Sequence, residues 1–143
     1  ERVVTIRETI EIRRLIKNSL YRSDILEVPY LPDKEVALLL NGADIFLYAS
    51  FHEGFGLCVA EAMACGVPVV ASTGATIYAE SGLADELLKP CDIHGFVEKI
   101  FKIQHSDSFR DDLIKRQLNA IESFTWQKTA QSVIEAYSKV LKS

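Results

Sequence analysis

The stretch Glu53-Gly-Phe-Gly-Leu57-Cys-Val-Ala-Glu61 sets two carboxylates eight positions apart, across a glycine-broken loop and into a nearly apolar segment. It lies between two strand-like runs, Asp44-Ile-Phe-Leu-Tyr-Ala-Ser50 and Val67-Pro-Val-Val-Ala-Ser72. Strand, glycine loop, helix, strand is the layout with which open α/β folds hold phosphates and sugars at the carboxyl ends of their strands. The order predicts a crevice at this point of the chain, and candidate functional residues are sought there first.

From Leu57 to Cys65 the chain reads Leu, Cys, Val, Ala, Glu, Ala, Met, Ala, Cys. A helix apolar on every side is expected to be covered by protein all round. Glu61 is its single charge, and an ionised carboxylate in such surroundings is costly unless it meets a cation or hydroxyl donors. Two neighbouring ribose hydroxyls would satisfy it, as they do the acidic residue of dinucleotide folds; a buried ion pair with a Lys or Arg from elsewhere would satisfy it equally. Leu57 lies one turn before Glu61, so an apolar wall and an acceptor can face one ligand.

Glu53 precedes Gly54 and Gly56 and belongs on the loop at the mouth of the crevice. The glycines let main-chain N–H groups approach a ligand, and the positive end of the helix they open favours a diphosphate. A carboxylate there repels phosphate, so its partner would be a neutral polyhydroxyl such as a hexose. The alternative is an exposed charge interacting with the helix dipole. His52 beside Glu53 invites an acid–base reading, but a histidine in a loop before a helix more often packs or hydrogen-bonds.

These residues resemble the E-x7-E signature of the GT4 family of retaining glycosyltransferases (glycosyltransferase group 1). The resemblance is carried by Glu53-Gly-Phe-Gly-Leu57 and Glu61-Ala-Met-Ala-Cys-Gly-Val-Pro-Val-Val-Ala-Ser72. The lead-in Leu31-Pro-Asp-Lys-Glu-Val36 and Asn41-Gly-Ala-Asp-Ile-Phe-Leu-Tyr-Ala-Ser50 is similar too, as is Phe124-Thr-Trp126 at the opening of the last helix. It implies a GT-B fold, two Rossmann-like domains facing across a cleft, of which residues 1–143 would be the C-terminal, donor-binding one. By position, Glu53 would contact hydroxyls of the transferred sugar as the catalytic residue. Gly54, Phe55, Gly56 and Leu57 would supply backbone N–H groups and shape around sugar and diphosphate, and Glu61 would hold the ribose. The donor would be a UDP- or GDP-linked hexose, with no metal or other cofactor, and the acceptor a glycan or lipid-linked saccharide.

The sequence departs from the pattern in two places. The family's diphosphate-gripping Arg and Lys come from near the first strand and helix of this domain, and none of Arg2, Arg7, Arg13, Arg14 and Arg22 sits in that motif. After Ser72 the family often carries Gly-Gly-x-Pro-Glu, where this chain has Thr73-Gly-Ala-Thr-Ile-Tyr-Ala-Glu80, leaving Glu80 as an approximate counterpart. A domain incomplete at its N-terminus, with the acceptor domain absent, is the expectation, and the first residue, Glu1, fits an excised fragment.

Composition agrees with one α/β domain. With 143 residues, 48% of them hydrophobic, the chain can bury a full core without disulfide staples. The net charge of −4 argues against nucleic acid as the main partner. Cys58, Cys65 and Cys91 have no zinc-like spacing, and the two in the apolar helix, Cys58 and Cys65, read as small core residues of a reducing compartment. No apolar run approaches the length of a membrane span, so a cytoplasmic location is expected, with peripheral contact at an anionic membrane surface through Arg7, Arg13, Arg14 and Lys17 left open.

The remaining pattern predicts a Rossmann-like parallel sheet with helices on both faces. Strands are expected at Val3–Ile6, Asp24–Val28 and Leu87–Leu88. Helices are expected through Leu15, Ile16 and Leu20, from Pro32 or Asp33 to Asn41, after the caps Asp92 and Thr125, and from Ser106 to about Glu122. In the last helix Val133, Ile134, Tyr137 and Leu141 are expected to face the core, with Trp126 and Tyr137 as anchors. Two rival functions remain: a non-catalytic domain that keeps the fold as a scaffold, and another GT-B enzyme such as a nucleotide-sugar epimerase.

Overall fold

The computed structural model describes residues 6–141. The chain divides into two units, Glu1–Pro32 and Asp33–Ser143.

In the first unit α1 (Ile6–Asn18) leads through a 3-10 turn (Arg22–Asp24) into an irregular extended segment. The expected helix ends two residues short of Leu20, which is exposed. Of the expected strand Val3–Ile6, residues 3–5 lie outside the described residues, and Ile6 opens α1. The expected strand Asp24–Val28 does not form: among the described residues it pairs with no other strand, and Leu26 is 82% exposed. Alternating apolar residues make a strand only where a ladder and a covered face exist. An exposed ion pair between Arg13 and Glu27, 3.4 Å apart, reaches from α1 to this segment.

The second unit is the α/β layer. After α2 (Asp33–Asn41), strand β1 (Phe46–Tyr48) runs parallel to β2 (Val69–Ala71), with Phe46, Leu47 and Tyr48 opposite Val69, Val70 and Ala71. A parallel bridge between Ser72 and Leu88 extends the sheet where an edge strand was expected. The crossover from β1 to β2 is α3 (Leu57–Ala64), and a short helix α4 (Thr76–Tyr78) follows β2. Then come α5 (Ile93–His105), α6 (Asp107–Ile121) and α7 (Trp126–Val140). The expected caps form, Asp92 accepting from the Gly95 amide and Thr125 from Lys128, and Ser106, expected to begin a helix, caps α6 by accepting from the Phe109 amide.

Strand alternation divides the core between the two faces of the sheet. Val69 and Ala71 join Val59, Ala62 and Met63 of α3, with Phe46 and Tyr48 packed alongside. Val70 faces the other way, into Phe96 and Ile103 of α5 and Leu113 of α6. Helices therefore cover both faces of a parallel sheet, the Rossmann-like arrangement of one half of a GT-B fold. Full burial of a side chain such as Val59, Met63 or Ile77 contributes about 1.5–3 kcal/mol.

Two packing expectations are corrected. In α3 the apolar residues do not all go inside: Val59, Ala62 and Met63 are buried, whereas Leu57, Cys58, Glu61 and Ala64 are exposed. One face of an eight-residue helix lies on the sheet, and the opposite face points away from it. In α7 the stripe Val133, Ile134, Tyr137 and Leu141 is exposed, and neither Trp126 (79% exposed) nor Tyr137 anchors the helix in a core. The 3.6-residue period identifies an apolar face without identifying what covers it.

Candidate donor site at the carboxyl ends of the strands

Parallel pairing sends the loops after β1 and β2 out of the same edge of the sheet. Segment 72–77 braces loop 49–56 through several bonds. The Ser72 amide donates to Tyr48 O at 2.9 Å and its hydroxyl to Ser50 O at 2.5 Å. The Thr76 hydroxyl reaches Glu53 O at 3.4 Å, and the Ile77 amide donates to Phe55 O at 2.9 Å. Gly74 lets the strands' ends come together: a Cβ there would lie 2.2 Å from Ser50 O and 2.9 Å from the Phe51 carbonyl carbon. Phe55 packs on Phe124, ring centroids 6.0 Å apart, so a residue of the α6–α7 connection supports the loop.

Gly56 caps α3 in the left-handed region, φ 90°, a conformation that any other residue adopts with strain. Its carbonyl takes the amides of Val59 and Ala60. The amides of Gly54, Phe55, Gly56 and Leu57 find no acceptor among the described residues, and the first turn of α3 carries no acidic residue and no side-chain cap. Unspent N–H groups at the positive end of a helix favour an anion.

The two carboxylates are placed differently. Glu53 is half-buried in the loop. Glu61 is exposed, one turn beyond Leu57 on the outward stripe of α3, about 6 Å further along the axis. The buried-charge reason for giving Glu61 a partner is overturned with the burial itself, and no described cation pairs with it. What remains is an apolar side chain and a free acceptor on one outward surface. Glu80 and His52 are exposed and without side-chain partners among the described residues. His94 pairs with Glu98, and His105 stacks on Phe101, both away from the loop.

The structure adds two residues. The Tyr48 side chain ends beside Glu53, Ser50 and Cys58, and burial, followed by the neighbouring Glu53 carboxylate, pushes its pKa up. Burial of the sulfur also pushes the Cys58 thiol up, against the lowering effect of the Val59 amide, although the residue as a whole is exposed. Period two from Phe46 would have put Tyr48 on the α3 face. Nothing in the sequence would have put its hydroxyl beside Glu53.

A cleft of about 560 Å³ lies elsewhere, lined by Ala43, Ile45, Gly66 and Pro68 at the amino ends of both strands. Its Arg110 is engaged with Asp107 and Asp111. Among the described residues no three His, Cys, Asp or Glu side chains gather as metal ligands would, and no helix is long and apolar enough to cross a membrane.

The family described as "Glycosyl transferases group 1" matches residues 8–120, and the chain belongs to it. Among curated relatives, O-antigen chain mannosyltransferase B of Escherichia coli is 36% identical over 108 residues, 76% of this chain and 28% of the relative. A serotype-specific mannosyltransferase WbdA, also of Escherichia coli, is 30% identical over 124 residues, 87% of this chain and 15% of the relative. A D-inositol 3-phosphate glycosyltransferase of Nocardioides is 31% identical over 114 residues, 78% of this chain and 25% of the relative. The chain thus spans less than a third of the length of these relatives. No solved structure matches it.

Proposed function

We propose that residues 1–143 form the donor-binding domain of a retaining hexosyltransferase that takes a nucleotide sugar, UDP- or GDP-linked, and delivers the hexose to a glycan or lipid-linked acceptor. One observation carries the reading: an uncapped, acid-free helix N-terminus with four unspent amides, flanked by Glu53 on one side and by the outward pair Leu57 and Glu61 on the other. The amides of Gly54 to Leu57 hold the diphosphate, Glu61 accepts from the ribose hydroxyls, Leu57 lies against the nucleoside, and Glu53 accepts from hydroxyls of the sugar. Negative charge grows on the diphosphate as the sugar leaves, and fixed backbone donors stabilise it without reorganising. The acceptor is bound by a second domain of the same protein, whose closure excludes water and aligns the acceptor hydroxyl with the anomeric carbon. The names of two of the relatives make a mannose donor the first to try. The helix dipole and basic side chains outside residues 1–143 neutralise the diphosphate, with no metal required. A cytoplasmic location, peripheral to the membrane where the acceptor is lipid-linked, goes with this reading.

The test is Glu61→Ala in the full-length enzyme. Donor affinity is expected to fall by about tenfold or more, the loss of hydrogen bonds to a charged acceptor. Wild-type donor affinity and turnover in that variant would remove the ribose assignment. The 143-residue chain alone is expected to bind nucleoside diphosphate and to transfer nothing, and measurable turnover by it would overturn the two-domain reading.

A further inference from the structure

Tyr48 is the last residue of β1, and strand alternation puts it on the α3 face with Phe46. The two rings stack with centroids 6.3 Å apart and planes 13° from parallel. The ring is thereby packed against the core between sheet and helix. That hydroxyl is buried and is the one buried side-chain polar atom among the described residues that lacks a hydrogen-bond partner. Natural proteins rarely leave such a group unpaired, because its desolvation goes uncompensated.

The polar groups around it narrow what it can do. Ser50 gives its hydroxyl to the His52 carbonyl at 3.1 Å. Cys58 offers a thiol, a weak acceptor. The Glu53 carboxylate is the strong acceptor in reach. It is near enough to raise the phenol's pKa, yet it is not set at the distance and angle of a formed bond. Burial and that carboxylate both keep the phenol protonated, so the group is a donor across the physiological range. Glu53 itself is held by no cation among the described residues.

From this geometry we infer that Tyr48 is the positioning residue for Glu53: on donor binding its hydroxyl donates to one carboxylate oxygen and leaves the other aimed at the sugar hydroxyls. The inference rests on the reading of Glu53 as the sugar contact. It explains why a strand buries a phenol where phenylalanine would pack without an orphaned hydroxyl. The half-formed contact of the free protein closes when the carboxylate turns toward the sugar, as contacts at reaction centres commonly tighten in the complex.

The experiment compares Tyr48→Phe, Glu53→Gln and the double variant in the full-length enzyme, with melting temperature, kcat/KM for the nucleotide sugar, and Kd for the nucleoside diphosphate alone. Tyr48→Phe is expected to melt at the same temperature or higher, because the orphaned group is gone. Its kcat/KM is expected to fall by about tenfold or more, with Kd for the diphosphate within about twofold of wild type. Adding Tyr48→Phe to Glu53→Gln is expected to cost less than about twofold more, since one unit has already been broken. Full kcat/KM in Tyr48→Phe beside an impaired Glu53→Gln would overturn the positioning role and leave the donor site standing. So would additive losses, or a fall in melting temperature together with weaker diphosphate binding. A fully active Glu53→Gln would overturn the sugar-contact reading and this inference with it.

Discussion

Gln117 pairs with Val69 as a neighbouring strand would. Its side-chain oxygen accepts from the Val69 amide at 3.2 Å, and its side-chain nitrogen donates to the Val69 carbonyl at 3.1 Å. On that edge β2 meets Leu88 at Ala71, Ser72 and Thr73, and a primary amide on α6 serves Val69 instead. The same nitrogen reaches the Tyr78 hydroxyl at 2.8 Å, and all three groups are buried. Burial pushes the Tyr78 pKa up to about 12, against the lowering effect of Gln117, so the phenol remains a neutral donor to Val69 O. Gln117→Leu would strand a buried N–H and weaken the pairing of a buried C=O. A loss of about 2–4 kcal/mol in urea unfolding is expected. Gln117→Glu should cost a similar amount at neutral pH, because a carboxylate cannot donate to the carbonyl. Wild-type stability in both variants would show that the sheet edge is satisfied some other way.

Gly74 stands where the backbone of Ser50 and Phe51 passes against the turn after β2. A methyl group there meets a carbonyl oxygen at 2.2 Å, and the obstacle is main chain that cannot rotate aside. Gly74→Ala is therefore expected to destabilise by about 1–3 kcal/mol and to displace the loop carrying Glu53. Gly54→Ala, whose Cβ meets nothing within 4 Å, should leave stability near wild type. Thermal melts of the two variants make the comparison, and equal melting temperatures would refute it.

The sequence reveals much of the α/β layer because its signals there are local. Glycine at 56, apolar runs at 45–48 and 67–71, and the caps Asp92, Ser106 and Thr125 each act within a few residues of where they stand. The outward direction of α3 was not legible. An all-apolar helix with one charge reads the same whether a second layer covers it or not, and composition favoured the covered reading for Glu61. The same ambiguity misplaced Asp24–Val28 and the apolar stripe of α7. At the site, the loop and both glutamates announce themselves by spacing. Tyr48, Ser72, Gly74 and Thr76 do not, because each matters through a contact with a residue 5 to 24 positions away, set by tertiary structure.

The two faces of α3 should separate stability from ligand binding. Glu61 is exposed and unpaired among the described residues, so Glu61→Ala is expected to change unfolding free energy by no more than about 0.5 kcal/mol. Met63, two residues on and fully buried, should cost about 2–5 kcal/mol when cut to alanine. Donor binding measured on the folded fraction should show the reverse order, lost in Glu61→Ala and retained in Met63→Ala. Marked destabilisation by Glu61→Ala would mean that its carboxylate is a structural group.

Acid should weaken the α5–α6 side of the domain through Glu86. Burial by itself would raise this carboxyl, but hydrogen bonds from Lys99 and Arg116 outweigh it and hold the group below its ordinary value of 4.5. Arg116 Nη2 lies 2.9 Å from one carboxylate oxygen, while Lys99 holds the other and also donates to the Glu86 carbonyl at 2.7 Å. A carboxylate whose folded pKa is depressed contributes stability above the unfolded pKa and loses it as pH falls through the folded one. Glu86→Gln is therefore expected to lower stability at pH 7 by about 1–2 kcal/mol, a figure reduced for the partial exposure of Arg116. The gap between variant and wild type should narrow as pH drops below 4.5, where the wild-type carboxylate takes up its proton. Urea denaturation at several pH values checks it. A gap independent of pH would mean that Glu86 acts by packing, with its charge contributing nothing to the fold.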